Sequence, residues 1–440
     1  TGGGKTEAYL AVMAFYMFHE RFQIKESGDE VRRDGTNILM RYTLRMLTTQ
    51  QFERAASLIC AMEFLRRHTD LHKQSSIKGD RFSLGLWIGG SATPNNIKAS
   101  TRQIKEFKEG TIEGNPLVLT DCPWCRAKIG RFKRFRKTFL RGINEDKTEG
   151  PLLLCPDSSC DFGSDNRDLS IPVEVIDERI YKNPPSVIIS TADKLALIAY
   201  RPEAGSLFGR KLNDNTGYNQ IFRPPQLIIQ DELHLISGPL GTMYAVYEGI
   251  IESLCSEIND NIVTKPKIIA STATIRNAEE QVRSVYARSS TKLFPSPALK
   301  MEDSFFGKYS REEDGRLSKG RIYLGINANN YNSLQTTQVR AFSAALFRPY
   351  KFDSDEKADP WWTLLAFYNS IRELGGGKTL FDSDIKSRLK FLFNREGFPI
   401  KERRHLVNVN ELTSRLPQTG IKSMMDRLSV TYNSQVPEAI

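Results

Sequence analysis

The chain begins with a glycine-rich segment that ends in lysine and threonine, the sequence TGGGKT. A phosphate-binding loop ends in glycine, lysine and then serine or threonine, and Gly4, Lys5 and Thr6 match these three positions. Backbone N–H groups of such a loop bind phosphate oxygens at a helix N-terminus, and glycine lets the backbone approach them closely. Lys5 would contact the β- and γ-phosphates of ATP, and Thr6 would bind Mg²⁺. We therefore predict a nucleotide-binding loop made of Gly2, Gly3, Gly4, Lys5 and Thr6.

The first glycine of that pattern would precede residue 1, so we expect the chain to be a fragment that starts inside the motif. A glycine-rich turn with an exposed lysine is the alternative interpretation. A second GGGKT at 375–379 serves as a comparison, because Arg372 takes the place of its first glycine and a helical pattern precedes it. We predict that this second segment ends a helix in a turn.

Two adjacent carboxylates, Asp231 and Glu232, directly follow the apolar strand pattern at 227–229. Carboxylates at the C-terminal end of a strand face the ligand crevice of an open α/β sheet. Asp231 could hold Mg²⁺, and Glu232 could polarise an attacking water molecule. A solvated turn is the alternative, but the position after a strand and downstream of the phosphate loop favours a catalytic role. The predicted catalytic residues are Lys5, Asp231, Glu232 and His234.

Small hydroxyl residues follow the next strand pattern, at 267–270. Their side chains could hydrogen-bond to the carboxylate site and couple its state to a neighbouring domain. The predicted coupling residues are Ser271, Thr272 and Thr274. Thr274 or Asn277 could equally cap the helix predicted over 276–288.

Four of the six cysteines form two closely spaced pairs, Cys122 with Cys125 and Cys155 with Cys160. A C-x2-C pair followed after 29 residues by a C-x4-C pair has the spacing of a zinc ribbon. Four thiolates complete a tetrahedral Zn²⁺ site, so its role would be structural. Four buried free cysteines are the alternative.

A basic segment with interspersed phenylalanines, residues 131–141, lies between the two cysteine pairs. Its cations could contact phosphates while Phe132, Phe135 and Phe139 stack on bases. Alternatively, the segment is amphipathic and packs its phenylalanines on the cysteine module. The sequence leaves both interpretations open.

Apolar strand patterns alternate with helical ones along much of the chain, which predicts a parallel sheet in an α/β domain. The predicted strands lie at 36–40, 82–88, 186–189, 227–229 and 267–270, and the predicted helices at 7–24, 48–67, 239–256 and 276–288.

The domain prediction divides the chain into three parts. A first domain spans 1–298 and is interrupted by the cysteine-containing insertion 101–182. A connector spans 299–339 and holds one strand-like run at 322–324. A second, incomplete domain spans 340–440, with a strand at 362–368 and a helix from residue 370.

Composition limits the classes of protein. The chain of 440 residues has 62 Lys and Arg against 52 Asp and Glu, a net charge of +10 that permits a polyanionic partner. No apolar run reaches the ~18 residues of a membrane span, and residues 1–20 do not resemble a secretion signal. We expect a cytoplasmic protein with no membrane partner.

The segments GGGKT, DELH and STAT, in this order, resemble motifs I, II and III of superfamily 2 helicases. The longer segments 38–51 and 229–242 are similar to the large helicase of the bacterial DISARM anti-phage defence system. The resemblance implies an ATP-driven motor of two RecA-like domains that moves along nucleic acid, with DNA favoured. An RNA helicase, or a nucleic-acid-binding scaffold with a vestigial ATP site, remains the alternative.

The resemblance also implies a set of contacts to the bound strand and a set of partners. The implied contact residues are Arg41, Thr43, Arg45, Gly90, Ser91, Thr191, Asp193 and Lys194. A helicase of this system would work with a DUF1998-type subunit and a DNA methyltransferase. No arginine-rich motif of the second domain is present by residue 440, so we expect the chain alone to hydrolyse ATP poorly.

Overall fold

The computed structural model divides into two compact units, residues 1–309 and 310–440. It describes residues 4–24, 32–42, 45–68, 77–90, 92–135, 137–146, 148–213, 217–259, 261–272, 277–296, 299–300, 303–305, 307–329, 333–406, 409–413, 420, 424–425, 427–428 and 430–432. The helices of the first unit are α1 (Lys5–Phe22), α2 (Arg45–Arg67), α3 (Ile97–Glu109), α4 (Asp177–Lys182), α5 (Ala192–Ala196), α6 (Gly238–Cys255) and α7 (Ala278–Tyr286).

The strands of the first unit include long apolar ones and short pairs. They are β1 (Ile38–Tyr42), β2 (Leu84–Trp87), β3 (Gly130–Arg134), β4 (Lys137–Arg141), β5 (Ile143–Asn144), β6 (Leu152–Leu153), β7 (Val173–Glu174), β8 (Val187–Thr191), β9 (Arg210–Leu212), β10 (Tyr218–Gln220), β11 (Leu227–Gln230), β12 (Glu257–Asn259), β13 (Ile262–Thr264), β14 (Lys267–Ala270), β15 (Asp303–Ser304) and β16 (Gly307–Lys308).

Six of these strands form one parallel sheet in the order β14-β11-β1-β8-β2-β7. The predicted mixed α/β fold with a parallel sheet is therefore confirmed. Both faces of the sheet are covered by helices, and successive side chains of a strand point to opposite faces. Ile38 and Met40 face a core with α1 and α2, whereas Leu39 faces a second core with α4, α5 and α6.

The insertion differs from its predicted extent, because β7 lies inside 101–182 yet pairs with β2 at the edge of the main sheet. The rest of it contains two antiparallel hairpins, β3–β4 and β5–β6. A strand of two residues, Val173 and Glu174, gives too weak a pattern to be detected without the partner strand.

The second unit is helical in its described residues, with α8 (Leu334–Phe347), α9 (Asp355–Ala358), α10 (Ile371–Asp382) and α11 (Asp384–Arg395). The strand predicted at 362–368 is wrong, and so is the strand-like run at 322–324. Alternate residues of 362–368 are half-buried, as in a strand, but no neighbouring strand pairs with the segment among the described residues. A second RecA-like domain stays a prediction.

The second GGGKT is also placed differently from the prediction, because it lies inside α10. Ser370 begins this helix by accepting a hydrogen bond from the Glu373 backbone N–H at 3.2 Å. Gly377 lies so close to Tyr368 that an added Cβ would be 2.1 Å from the phenol oxygen. The glycine there serves close packing and does not end the helix.

Among the helices of the described residues, none combines the length and apolar character needed to cross a membrane.

Candidate functional site

Three adjacent parallel strands, β14, β11 and β1, end at one edge of the sheet and bring distant segments together there. Asp231 follows β11 directly, and Ser271 follows β14. The backbone N–H of Ser271 donates to the Gln230 carbonyl at 2.7 Å, and that of Leu233 donates to the Ser271 carbonyl at 3.0 Å. The segments resembling motifs II and III are thus hydrogen-bonded to each other.

Thr272 connects this edge to the predicted phosphate loop. Its carbonyl accepts a hydrogen bond from Lys5 Nζ at 2.9 Å. Its Oγ1 lies 3.2 Å from His234 Nδ1, and that nitrogen lies 3.2 Å from Glu232 Oε2. Residues from three separate parts of the sequence therefore form one cluster.

The two carboxylates of the cluster have different environments. Asp231 is buried, and its Oδ1 accepts a hydrogen bond from the Glu232 backbone N–H at 3.0 Å. Glu232 is partly exposed and adopts the left-handed conformation, with φ 51° and ψ 49°. This conformation costs a non-glycine residue about 1 kcal/mol or more. Gln281 holds the segment that follows Glu232, because its Nε2 donates hydrogen bonds to the carbonyls of Leu233 and Ile236.

The first turn of α1 presents Thr6 beside the same edge. Its Oγ1 accepts hydrogen bonds from the Tyr9 hydroxyl at 3.2 Å and from Gln51 Nε2 at 3.3 Å. Burial raises the pKa of Tyr9, and the Asp231 carboxylate adds to the shift. Sequence reasoning missed Tyr9, Gln51 and Gln281 because they act through long-range contacts and belong to no motif.

Several predicted residues lie outside the described part of the chain. They are Gly2, Gly3, Thr43, Ser91 and Thr274, together with the side chains of Arg45 and Asp193. Gly4 is described, and it precedes α1 with φ 74°, a conformation that favours glycine.

Three of the residues implied as strand contacts are buried in this structure. The side chain of Arg41 is 0% exposed, and its guanidinium forms an ion pair with Glu248 at 2.5 Å. Lys194 is buried and pairs with Asp177, also at 2.5 Å. Thr191 is buried at the end of β8. In this structure these side chains are buried in the domain, and their contact with a bound strand stays a prediction. Gly90, by contrast, lies exposed in a turn.

The predicted cysteine cluster is confirmed. The Sγ atoms of Cys122, Cys125, Cys155 and Cys160 all lie within 4.8 Å of one another. Tetrahedral zinc with Zn–S bonds of about 2.3 Å would hold its sulfurs about 3.8 Å apart, so the donor set fits this metal.

Local turns position these thiols. The backbone N–H of Cys122 donates to the Ala127 carbonyl, and that of Cys155 donates to the Phe162 carbonyl, both at 2.8 Å. Burial would raise the pKa of Cys125, but the Ala127 backbone N–H and the neighbouring cysteines lower it. Burial raises the pKa of Cys160 to about 12.

The cysteine module packs on α2, so it is part of the domain and not an appendage. The Ser57 hydroxyl donates to the Pro123 carbonyl at 3.0 Å. The Trp124 ring stacks on Phe64 with 5.0 Å between centroids, and the Arg67 guanidinium lies 4.8 Å from the Phe162 ring. Cys122 and Cys155 therefore share a core with α1 and α2.

Two solved helicase structures are among the matches to this chain. No protein-family model matches the chain. One match is helicase Lhr of Mycobacterium smegmatis, solved with ssDNA and AMP-PNP. The match covers 91% of this chain and 33% of the Lhr chain, with 14% sequence identity and a TM-score of 0.39. Another match is the DUF1998 helicase MrfA, solved with DNA and AMPPNP. This match covers 65% of this chain and 28% of the MrfA chain, with 13% sequence identity and a TM-score of 0.22.

A curated relative covers nearly the whole chain. The "DISARM protein DrmA" of Bacillus paralicheniformis is 37% identical over 464 aligned residues, which include 97% of this chain. This chain spans 39% of the length of that protein. Over almost all of its length the chain is thus similar to part of a DISARM protein DrmA, which confirms the resemblance predicted from the motifs.

Proposed function

We propose that the chain forms the ATP-binding part of an ATP-dependent helicase or translocase that acts on DNA in bacterial defence against phage. The observation that carries this proposal is the cluster around Thr272, which contacts both Lys5 and His234. The similarity to a DISARM protein supports the role in defence, and with it DNA as substrate. The DUF1998-type subunit and the DNA methyltransferase remain partners predicted from that resemblance.

Each member of the cluster has a role suited to its position. Lys5 would exchange the Thr272 carbonyl for nucleotide phosphates, while Thr6 and the buried Asp231 would hold Mg²⁺. Glu232, partly exposed beside them, would orient and deprotonate a water molecule. His234 touches both Glu232 and Thr272, so it would transmit the state of the site to the segment after β14.

We also infer that the four clustered cysteines hold a structural Zn²⁺. Their number leaves no free position for a substrate, and their packing on α2 gives the metal a role in shaping the domain.

The test compares ATP binding and ATP turnover in the full-length protein. Lys5→Ala should weaken ATP binding, because it removes the cation that contacts the phosphates. Glu232→Gln should keep ATP binding and lower turnover by roughly 100-fold or more, the usual contribution of a general base. Glu279→Gln, an exposed carboxylate on α7, is the matched control and should behave as the parent.

Turnover of Glu232→Gln at the parental rate would contradict the assignment of Glu232. Absence of ATP turnover in the parent itself would favour a scaffold with a vestigial ATP site. Strand displacement on matched DNA and RNA duplexes decides the substrate. Activity on RNA alone would replace the DNA proposal with an RNA helicase.

A further inference from the structure

The basic segment between the cysteine pairs forms the antiparallel hairpin β3–β4, in which Phe132 pairs with Phe139 and Arg134 with Lys137. No acidic residue occurs between positions 130 and 141. Directly opposed residues of an antiparallel pair share a face, so the register divides the side chains into two sets.

The inner face of the hairpin is occupied by its own domain. Arg131 Nη1 donates to the Phe107 carbonyl at 2.9 Å, and its guanidinium lies 5.4 Å from the Phe107 ring. Leu140, opposite Arg131, packs against the main core. These contacts attach the hairpin to α3 and decide which face remains free.

The outer face combines aromatic rings with cations. The rings of Phe132 and Phe139 stack with 6.2 Å between centroids, and the Arg141 guanidinium lies 5.1 Å from Phe132. Arg134 and Lys137 occupy the same face nearer the tip, and both are exposed. Phe135 and Phe139 are exposed, so these two phenylalanines do not pack on the cysteine module.

The tip residue Phe135 is 89% exposed and has a φ of 46°. The loop between β3 and β4 has two residues, and hairpin turns of this length require a positive φ. Exposure of most of the Phe135 ring leaves an apolar surface in water, which a stacked ligand would cover. The Arg134 guanidinium lies 5.6 Å from that ring and provides a charge beside it.

The exposed cations of the hairpin are Arg134, Lys137 and Arg141 on the outer face, together with Lys133, which lies on the other face but is exposed near the tip. Within the described residues, none of them forms an ion pair with a carboxylate. Other exposed cations of the same module do form such pairs, for example Lys108 with Glu145 and Lys128 with Asp121. The hairpin therefore presents uncompensated positive charge around an exposed aromatic ring.

We propose that the β3–β4 hairpin binds single-stranded nucleic acid, with phosphates at its four exposed cations and a base stacked on Phe135. Single-strand sites combine a basic surface with aromatic side chains, because every unpaired base has a face that stacks. A duplex supplies phosphates but keeps its bases stacked internally. The inference rests on the proposed function for its choice of ligand, and it gives the motor a contact surface that the buried Arg41 and Lys194 do not provide.

The experiment measures the affinity of the full chain for a fluorescent 20-nucleotide oligo(dT), an oligo(rU) of equal length and a DNA duplex, over a range of salt. The charge variant changes Lys133, Arg134, Lys137 and Arg141 to alanine. The ring variant is Phe135→Ala. The matched control changes four exposed cations of α3 and α4 to alanine, namely Lys98, Arg102, Lys105 and Lys182.

The charge variant should bind both single strands more weakly and lower the slope of log affinity against log salt by about 0.7 for each lost phosphate contact. The ring variant should lose roughly 5- to 140-fold in affinity with an unchanged salt slope. Bound zinc should equal that of the parent in all variants, which shows that the module is intact.

Parental affinity in both the charge and the ring variants would overturn the proposal. So would an equal loss in the control, which would make the effect one of net charge, or tighter binding of the duplex than of the single strands. ATPase of the full-length protein tests the proposed function separately. A full-length protein that binds strands through the hairpin but does not hydrolyse ATP would retain this inference and refute the motor.

Discussion

The Arg41 guanidinium forms one of the most enclosed charge contacts of the first unit. It pairs with Glu248 on α6 and lies 5.4 Å from the Tyr244 ring and 5.8 Å from the Tyr286 ring. These partners come from α6 and α7, so the arginine joins both helices to β1. A residue that resembles a phosphate contact in sequence thus stabilises the sheet.

We predict that Arg41→Ala lowers the free energy of unfolding by roughly 3–5 kcal/mol, because it leaves the Glu248 carboxylate buried without a partner. Urea denaturation followed by circular dichroism measures this loss. The double variant Arg41→Met with Glu248→Leu should recover most of the stability, since apolar residues replace both charges. If Arg41→Ala is as stable as the parent but binds the strand more weakly, Arg41 is a strand contact, as the sequence resemblance implies.

Thr272 shows how one residue can serve two motifs. Its carbonyl contacts Lys5 while its hydroxyl contacts His234. The carbonyl contact is available to any residue type, whereas the hydroxyl contact depends on serine or threonine. The sequence therefore indicates only half of the role of this residue.

At the scale of elements, α2 connects the two candidate sites. Gln51 near its start donates to Thr6, and Ser57 further along contacts the cysteine module. At its C-terminal end, Glu63 accepts hydrogen bonds from Arg66, Arg67 and the backbone N–H of Phe82. One helix therefore contacts both Thr6 and the cysteine module.

We predict that replacing Cys122 and Cys155 by serine removes close to one zinc per chain and lowers the melting temperature of the first unit. ATP binding should weaken as well, because the module shares its core with α1 and α2. Metal analysis, thermal unfolding and ATP titration measure these effects, and replacing Cys255, a buried cysteine outside the cluster, is the control. Unchanged metal content would remove the basis for a zinc site.

At the scale of the whole molecule, each compact unit has its own apolar core. The first unit is built around the sheet, and the second buries Leu346, Ile385, Leu389 and Phe393 among its helices. The described residues 307–329 are almost all exposed, and past β16 they contain no helix or strand apart from one isolated bridge.

We predict that limited trypsin digestion cuts first after Arg311, Arg316, Lys319 or Arg321, because a protease needs an exposed and locally extended substrate. Mass spectrometry should then find fragments that end or begin within 311–322. Digestion in urea, where all sites are accessible, is the control. First cuts within α1, α2 or the strands of the sheet would contradict the division into these two units.

Some features of this protein follow from the sequence alone because they depend on neighbouring residues. Apolar runs predicted β1, β2, β8, β11 and β14, because a short apolar run bounded by polar residues or proline is a local pattern. The spacing within each cysteine pair predicted the cluster, because a metal knuckle is a local turn.

Other features were decided only by tertiary structure, because they depend on what packs against a residue from far along the chain. Arg41 and Arg134 are both strand arginines, yet Glu248, distant in sequence, buries the first, while nothing in the described residues covers the second. Residues 362–368 have the alternation of a strand but lack a partner strand, and β7 is a strand only because β2 pairs with it. Burial and strand pairing are properties of two segments together, and a pattern in one segment cannot determine them.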